Sequence, residues 1–269
     1  MIFCKELNQS FQTKQELAKA LYEHREDILA VKKSTSKVTD AIPYCLKSHV
    51  EKSAPGETLK VGDTIAVAMN TIGWLDSHND VHISGCWTKS AREQSGKVFH
   101  VINHDLGLGS IIAYPRDVST EVLVKSWAEL GRSYTGSTEV LVFNSRITDK
   151  TNKDAYMAYR DGESLQHSIR MEYIGLKLCI DDPEMKEEYA NWSTYYPLIV
   201  NKELADERGY FFAVTESKIV KEGSTVLFGS NEVTPTLSLS TQPEPPISTP
   251  KQPQEFDVMV AIKQTNFIH

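Results

Sequence analysis

Short apolar runs with a two-residue period constrain the fold of this chain more than any other feature. Near Val61 the character of the sequence changes, and Ile65, Val67 and Met69 alternate with smaller residues, as in a half-buried strand. Further strands are predicted at 98–102, 111–114, 139–143, 169–180, 211–214 and 224–228. Turns separate these runs, and no βαβ alternation and no phosphate-binding glycine loop is found. We therefore predict an α+β, mainly β fold: an antiparallel β-barrel or sandwich surrounded by helices.

Helices are predicted in three places. Residues 13–33 begin with the capping-box pair Thr13 and Glu16, and their apolar residues fall on or near one face. The favoured interpretation is a helix packed on the domain, and an arm that docks onto another protein is the alternative. Two more helical stretches lie around 152–159 and between 183 and 208.

Composition divides the chain into three parts. Residues 1–58 form an N-terminal helical arm and its connection, and residues 59–236 form the domain. Residues 237–269 form a Pro-rich linker with a short tail. The segment 238–254 is rich in Pro, Ser, Thr and Gln, so it buries too little apolar surface to fold. We predict that this segment is extended and disordered.

Charge and cysteine usage exclude several classes of function. The formal net charge is −7, whereas nucleic-acid binding needs a basic surface. The N-terminus lacks a signal-peptide core, and no stretch reaches the roughly 18 apolar residues of a membrane helix. The cysteines at 4, 45, 86 and 179 form no CxxC pair and lie in no nucleophile motif. These features favour a protein of a reducing cytoplasm, with no membrane or nucleic-acid partner.

Three polar residues lie where strands begin or end. Serine catalysis needs a hydroxyl, a base that takes its proton, and a group that orients the base. His104 follows the apolar run 98–102 and precedes Gly107 and Gly109, so its side chain can face a cleft. Ser168 and Glu222 each lie at the start of a predicted strand. Spacing alone does not show that the three groups meet in space.

Four segments carry a resemblance to the prohead serine proteases of tailed bacteriophages. They occur in that family's order: 80–87 (DVHISGCW) resembles its D-x-V/I-x-x-G-x-aromatic motif, 103–105 (NHD) its histidine motif, 166–169 (QHSI) its serine motif, and 222–231 (EGSTVLFGSN) its E-x-S-x-V…x-x-N motif. The resemblance extends over about 61–235. It implies a relation in fold to the herpesvirus assemblin proteases, and therefore an assemblin-like antiparallel β-barrel surrounded by helices.

The resemblance also implies an activity, with Ser168 as nucleophile, His104 as its base and Glu222 as the acidic third member. Backbone amides would hold the oxyanion, and no cofactor would be needed. The implied substrates are scaffolding protein, the N-terminal region of the major capsid protein, and the protease itself. The implied location is the inside of the prohead, in the cytoplasm of the host cell. The herpesvirus relation further implies self-association into dimers or larger assemblies.

The third member of the triad has alternatives. The herpesvirus relatives use a second histidine, for which His82, His100 and His167 are the local candidates. Simpler interpretations also stand. His104 would then be a turn histidine bonded to Asp105, Ser168 a strand hydroxyl bonded to backbone, and Glu222 a solvated carboxylate paired with Lys218 or Lys221.

One residue departs from the family pattern. The family commonly has glycine two residues after the serine, and this chain has Arg170. On a strand, Arg170 and Ser168 project to the same side. Arg170 then either donates to an oxyanion or pairs with Glu172 or Asp161.

Two rival functions remain. The first is a non-catalytic prohead or virion structural protein built on the same barrel, which Arg170 and the helical arm favour. The second is a metal-dependent hydrolase using His78, His82, His100 and His104. It is disfavoured because His100 and His104, on one strand, would lie about 13 Å apart at roughly 3.3 Å per residue.

Overall fold

The computed structural model describes residues 1–34 and 59–240. The predicted connection through 35–58, Cys45 and the Pro-rich segment beyond 240 lie outside the described residues. No helix in the described part of the chain is long and apolar enough to cross a membrane.

Eleven strands and six α-helices lie within these residues, in a mixed α/β arrangement. In chain order they are β1 (Ile2–Cys4), β2 (Gln9–Phe11), α1 (Lys14–Glu23), α2 (Arg25–Ser34), β3 (Thr64–Thr71), β4 (Asp80–His82), α3 (Thr88–Gln94), β5 (Phe99–Ile102), β6 (Ile111–Ala113), β7 (Val118–Ser126), β8 (Ser137–Arg146), α4 (Lys153–Arg160), β9 (Gln166–Ile180), α5 (Lys186–Tyr195), α6 (Lys202–Arg208), β10 (Tyr210–Val226) and β11 (Thr236–Ser240).

Long strand β10 organises the larger sheet. One edge of β10 pairs antiparallel with β9 along almost its whole length. Its other edge pairs parallel first with β4 and then with β5, and β6 extends the sheet beyond β5. A second, wholly antiparallel sheet has the order β11-β3-β8-β7, and β1 with β2 forms a hairpin. Within the described residues these pairings form open sheets and do not close a barrel.

The two larger sheets pack face to face. Met69 and Phe143 from the four-stranded sheet share one apolar core with Ile169, Met171 and Val214 from the five-stranded sheet. Alternate residues of β9 and β10 therefore point into this core, and the residues between them point to the opposite face. Ser168, Arg170 and Ser224 lie on that opposite face.

Most predicted elements are present, with three differences. The runs 211–214 and 224–228, predicted as two strands, belong to the single strand β10, which continues through the polar residues between them. The helix predicted at 13–33 is divided at His24 into α1 and α2. The strands β1, β2, β4, β7 and β11 and the helix α3 were not predicted.

The N-terminal helices pack on the domain, as the favoured interpretation predicted. The capping box of Thr13 and Glu16 is present at the start of α1. Leu17, Leu21 and Ile28 belong to the same core as the two sheets. Strand β11 likewise extends the ordered structure into the first residues of the predicted tail, since it pairs with β3 as far as Ser240.

A buried ion pair fastens α2 to the sheet. Lys32 Nζ lies 2.6 Å from Asp80 Oδ1 and 4.1 Å above the ring centroid of Phe212. Tyr173 donates its hydroxyl to Asp80 Oδ2 at 2.7 Å. Burial, together with the nearby charge of Asp80, raises the pKa of Asp76 to about 7. Asp80, the first residue of the 80–87 segment, is therefore a structural anchor.

Candidate active site

His104 lies in a tight turn at the end of β5. Asn103 and His104 have φ angles of 50° and 57°, and Asp105 N donates to Ile102 O at 3.0 Å. Two successive positive φ values with this hydrogen bond define a type I′ turn. Asn tolerates the left-handed region well, whereas His adopts it less often. The backbone strain at His104 is stored where its side chain is used, as is common at functional sites.

The side chain of His104 turns towards β10. Its Nδ1 lies 2.8 Å from Glu222 Oε1. Asp105 is occupied elsewhere, because its carboxylate accepts from Gly107 N at 2.8 Å and Ser110 Oγ at 2.5 Å. The interpretation of His104 as a turn histidine bonded to Asp105 is therefore wrong.

A bulge in β10 presents Glu222. Ile219 pairs with Met171 and Gly223 pairs with Ile169, so 220–222 lie opposite Arg170 alone. Lys221 in this bulge has a φ of 65°. Bulges redirect side chains and are frequent beside active sites. Glu222 is 0% exposed, which contradicts its interpretation as a solvated carboxylate paired with a lysine.

Arg170 is the cation that balances the buried charge of Glu222. Its Nε lies 2.8 Å from Glu222 Oε1, and its Nη2 donates to His104 O at 3.1 Å. The predicted alternative partners, Glu172 and Asp161, are not used; Asp161 pairs with Arg160. The arginine that departs from the family pattern thus binds both the acid and the histidine turn.

The contacts determine the protonation of the imidazole. A carboxylate only accepts hydrogen bonds, so His104 Nδ1 carries a proton, and in the uncharged form of the ring Nε2 is the nitrogen that can accept one. Nε2 is buried and has no hydrogen-bond partner among the described residues. A buried polar atom without a partner costs about 1–3 kcal/mol and calls for an explanation. A role in accepting a proton would supply one.

Ser168 lies on the same face of the sheet as the His104–Glu222 pair. It is opposite Ser224 in the β9–β10 register, and neighbouring antiparallel Cα atoms are about 4.5–5.5 Å apart. Ser224 Oγ in turn accepts from His104 N at 2.8 Å. Because Nε2 of His104 has no partner within 1–34 and 59–240, Ser168 does not donate to it in this structure. Catalytic hydrogen bonds of this kind often form only when substrate is bound.

Sequence reasoning missed the contribution of Ser224. Besides accepting from His104 N, its hydroxyl donates to Val101 O at 3.2 Å, which joins the histidine turn to both β10 and β5. Its signal was present in the sequence, since Ser224 is the serine of the E-x-S segment that starts at Glu222. The segment pointed to Glu222 as a candidate, but nothing in the sequence indicated that Ser224 would bond to the histidine turn.

The three other candidate histidines lie apart from His104. His82 stacks on Trp87 with its Nδ1 3.4 Å from Asn70 Nδ2, and burial lowers its pKa to about 4. His100 lies between Ser145 Oγ and Thr225 Oγ1, and His167 between the Tyr159 hydroxyl and Thr234 O. Burial lowers the pKa of both. The group bonded to His104 Nδ1 is the carboxylate of Glu222.

The other proposed chemistries find less support. Within 1–34 and 59–240, no three His, Cys, Asp or Glu side chains are grouped so that they could hold a metal ion. His100 and His104 also bond to different groups, since both nitrogens of His100 contact hydroxyls and Nδ1 of His104 contacts Glu222. Cys86 and Cys179 are buried, and burial raises the pKa of both thiols, which disfavours the nucleophilic thiolate.

Gly223 is required by packing beneath the site. A Cβ atom there would lie 2.7 Å from Phe143 Cε2 and 2.9 Å from Met69 Sδ, and both side chains are in the core. We expect Gly223→Ala to reduce the free energy of unfolding by about 1–3 kcal/mol, measured by urea denaturation. Gly109→Ala is the control, since nothing lies within 4 Å of its added Cβ. Equal midpoints for the two variants would contradict this prediction.

Comparisons with known proteins assign no family. No family model and no solved structure matches the chain. An apolipophorin from Manduca sexta is 34% identical over 67 residues, which is 25% of this chain and 2% of that protein. The chain thus spans only a small fraction of the length of that curated relative, and so short a match shows neither fold nor function.

Proposed function

We propose that this protein is a serine endopeptidase of phage capsid maturation. One observation carries the proposal: His104 is hydrogen-bonded through Nδ1 to buried Glu222, and no described residue bonds to its Nε2. A histidine held in this way is oriented as a general base. Ser168, on the same face of the sheet and opposite Ser224 in the strand register, is the candidate nucleophile. The resemblance of the four sequence segments supports the capsid role.

Peptide hydrolysis by these three residues would proceed in two steps. His104 Nε2 takes the proton of Ser168 Oγ as this oxygen attacks a peptide carbonyl and forms a tetrahedral oxyanion. His104 then gives the proton to the leaving amine as the C–N bond breaks, which leaves an acyl-enzyme. Water, deprotonated by His104, attacks the ester and releases the acid and Ser168. Glu222 stabilises the imidazolium in both steps.

Arg170 has a positioning role in this mechanism. Its guanidinium donates to Glu222 and to the carbonyl of His104, so it holds the acid and the turn in one arrangement. The oxyanion is then left to backbone amides. No step requires a cofactor. We also propose the fold and the substrates that the sequence resemblance implies. The fold is an assemblin-like barrel, and the substrates are scaffold, capsid protein and the protease itself, cleaved inside the prohead.

A fluorophosphonate probe tests the nucleophile. Such a probe phosphonylates an activated serine with loss of fluoride, and the adduct is read by intact mass and peptide mapping. We expect one adduct, on Ser168, and none in Ser168→Ala. Ser217→Ala is the matched control, because Ser217 is another buried serine of the same sheet and its Oγ bonds to no residue in the described part of the chain. Labelling that persists in Ser168→Ala would assign the reaction to another residue.

Co-expression with the major capsid protein of the same virus tests the substrate. We expect intact mass to show a shortened capsid protein with the wild-type chain and a full-length one with Ser168→Ala. Absence of both the adduct and the shortening, from folded protein, would favour the rival proposal of a structural prohead protein.

A further inference from the structure

A cavity of about 370 Å³ opens beside the candidate active site. Its lining is mostly apolar, with a lysine at each of two positions: Lys97, Phe99, Val101, Leu106, Leu108, Ile111, Tyr114 and Lys221. The aromatic wall is formed by Phe99 and Tyr114, whose ring centroids are 6.0 Å apart. The mechanism above uses none of these side chains.

The cavity and the catalytic groups share one face of the larger sheet. Ile111 pairs with Val101, Val101 with Ser224, and Ser224 with Ser168, which forms a row across four strands. Paired residues project to the same side of a sheet. The row therefore leads from the candidate nucleophile to the floor of the cavity, where Val101 and Ile111 are buried.

The rim of the cavity is formed by Leu106, Leu108 and Lys221, which are close in sequence to the candidate catalytic residues. The two leucines expose apolar surface. Leu106 and Leu108 follow His104 and are 48% and 83% exposed. Lys221 directly precedes Glu222. Two exposed leucines around an apolar floor leave surface that binding of an apolar group would cover.

The charged residues of the cavity lining indicate what kind of group would bind beside the apolar one. The chain has a net charge of −7, yet the two charged residues of the lining are both lysines. Lys97 and Lys221 are exposed, and no ion pair holds either of them within the described residues. A carboxylate bound near the rim would be attracted by this positive charge.

We propose that this cavity is the specificity pocket of the peptidase. It takes a large apolar side chain of the substrate, and its lysines favour an acidic residue next to that side chain. The inference rests on the proposed function and adds the substrate class. Neighbouring strands are about 4.8 Å apart, so Val101 lies roughly 10 Å from Ser168. An extended peptide advances about 3.3 Å per residue, which places the apolar side chain two or three residues from the scissile bond.

Peptide binding to the full chain tests the pocket without requiring cleavage. The protein is Ser168→Ala, and the probe is a fluorescein-labelled octapeptide with one leucine next to one glutamate in an alanine and serine background. Fluorescence polarisation measures its affinity. We expect a peptide with serine in place of leucine to bind roughly 10- to 100-fold more weakly.

Substitutions in the rim, compared with one outside the cavity, test whether these residues bind the peptide. Leu108→Asp should abolish the preference for the leucine peptide, whereas Leu198→Asp, at another exposed leucine outside the cavity, should retain it. Lys97→Glu should weaken binding of the glutamate peptide several-fold at low salt and improve binding of a peptide with lysine in its place.

Three results would overturn the pocket: equal affinity for the leucine and serine peptides, equal effects of Leu108→Asp and Leu198→Asp, or no binding up to about 1 mM. The fluorophosphonate adduct on Ser168 is independent of all three. An adduct with no peptide preference would reject the pocket alone. A peptide preference with no adduct would reject the enzyme and leave a peptide-binding site.

Discussion

Glu222→Gln is expected to slow the reaction of Ser168 with the fluorophosphonate by about ten thousand-fold. The carboxylate of Glu222 accepts from His104 Nδ1 and so leaves Nε2 free to take a proton. Glutamine can keep a carbonyl oxygen where Glu222 Oε1 accepts from His104 Nδ1 and Arg170 Nε, but it lacks the negative charge. Without that charge, the imidazolium that forms as Ser168 loses its proton is far less stable.

The measurement is the second-order rate of adduct formation, followed by intact mass at pH 7. Glu216→Gln is the control on the same strand, since the side chain of Glu216 is 42% exposed and forms an ion pair with Lys89. Thermal unfolding of both variants separates lost chemistry from lost structure, because Arg170 also loses its charged partner in Glu222→Gln. An unchanged rate in folded Glu222→Gln would remove Glu222 from the mechanism.

Asp80→Ala is expected to reduce the free energy of unfolding by about 3–5 kcal/mol. Asp80 is 1% exposed and accepts from Lys32 Nζ and from the Tyr173 hydroxyl. Its removal leaves an ammonium and a hydroxyl buried with too few partners. Lys32 would retain the His78 carbonyl at 3.1 Å and Glu6 Oε1 at 3.8 Å, which are weaker substitutes for a carboxylate at 2.6 Å.

Urea denaturation measures this loss, with Glu216→Gln again as the control. The Lys89–Glu216 pair is also a lysine–carboxylate contact, at 3.2 Å, but its side chains are 65% and 42% exposed, so removing it should cost less than about 1 kcal/mol. Similar losses for the two variants would show that burial does not determine the strength of the Asp80 pair. Since Lys32 lies on α2, the same experiment measures how strongly the N-terminal helices are held.

Asp80 and Glu222 have different roles in the structure, although both lie in segments that were grouped on sequence resemblance alone. Asp80 and Glu222 both belong to the segments that resemble prohead proteases. In the structure, Asp80 fastens a helix to the sheet, whereas Glu222 holds a histidine. A motif match thus identified positions under constraint without distinguishing an anchor from a catalytic candidate.

Local chemistry made several elements predictable from the sequence. Alternation of apolar and small residues predicted β3, and the Thr13–Glu16 pair predicted the start of α1, because both depend on neighbours within a few residues. Asn152, an N-cap whose side chain accepts from Ala155 N, similarly begins the helix predicted at 152–159. The strands β4 and β7 were missed because their sequences are short or polar.

Tertiary structure decided the arrangement of the candidate site. Glu222 and His104 are 118 residues apart in sequence, and their contact depends on a parallel pairing of β5 with β10 and on a bulge that has no local signal. The partner of Arg170 was likewise open among several acids until the bulge placed Glu222 opposite it. The sequence by itself indicated the candidate residues of the site and most of the longer strands and helices, since these follow from side-chain type and short-range periodicity. Only the folded sheet decided which of those residues meet, because strand register depends on packing between segments far apart in the chain.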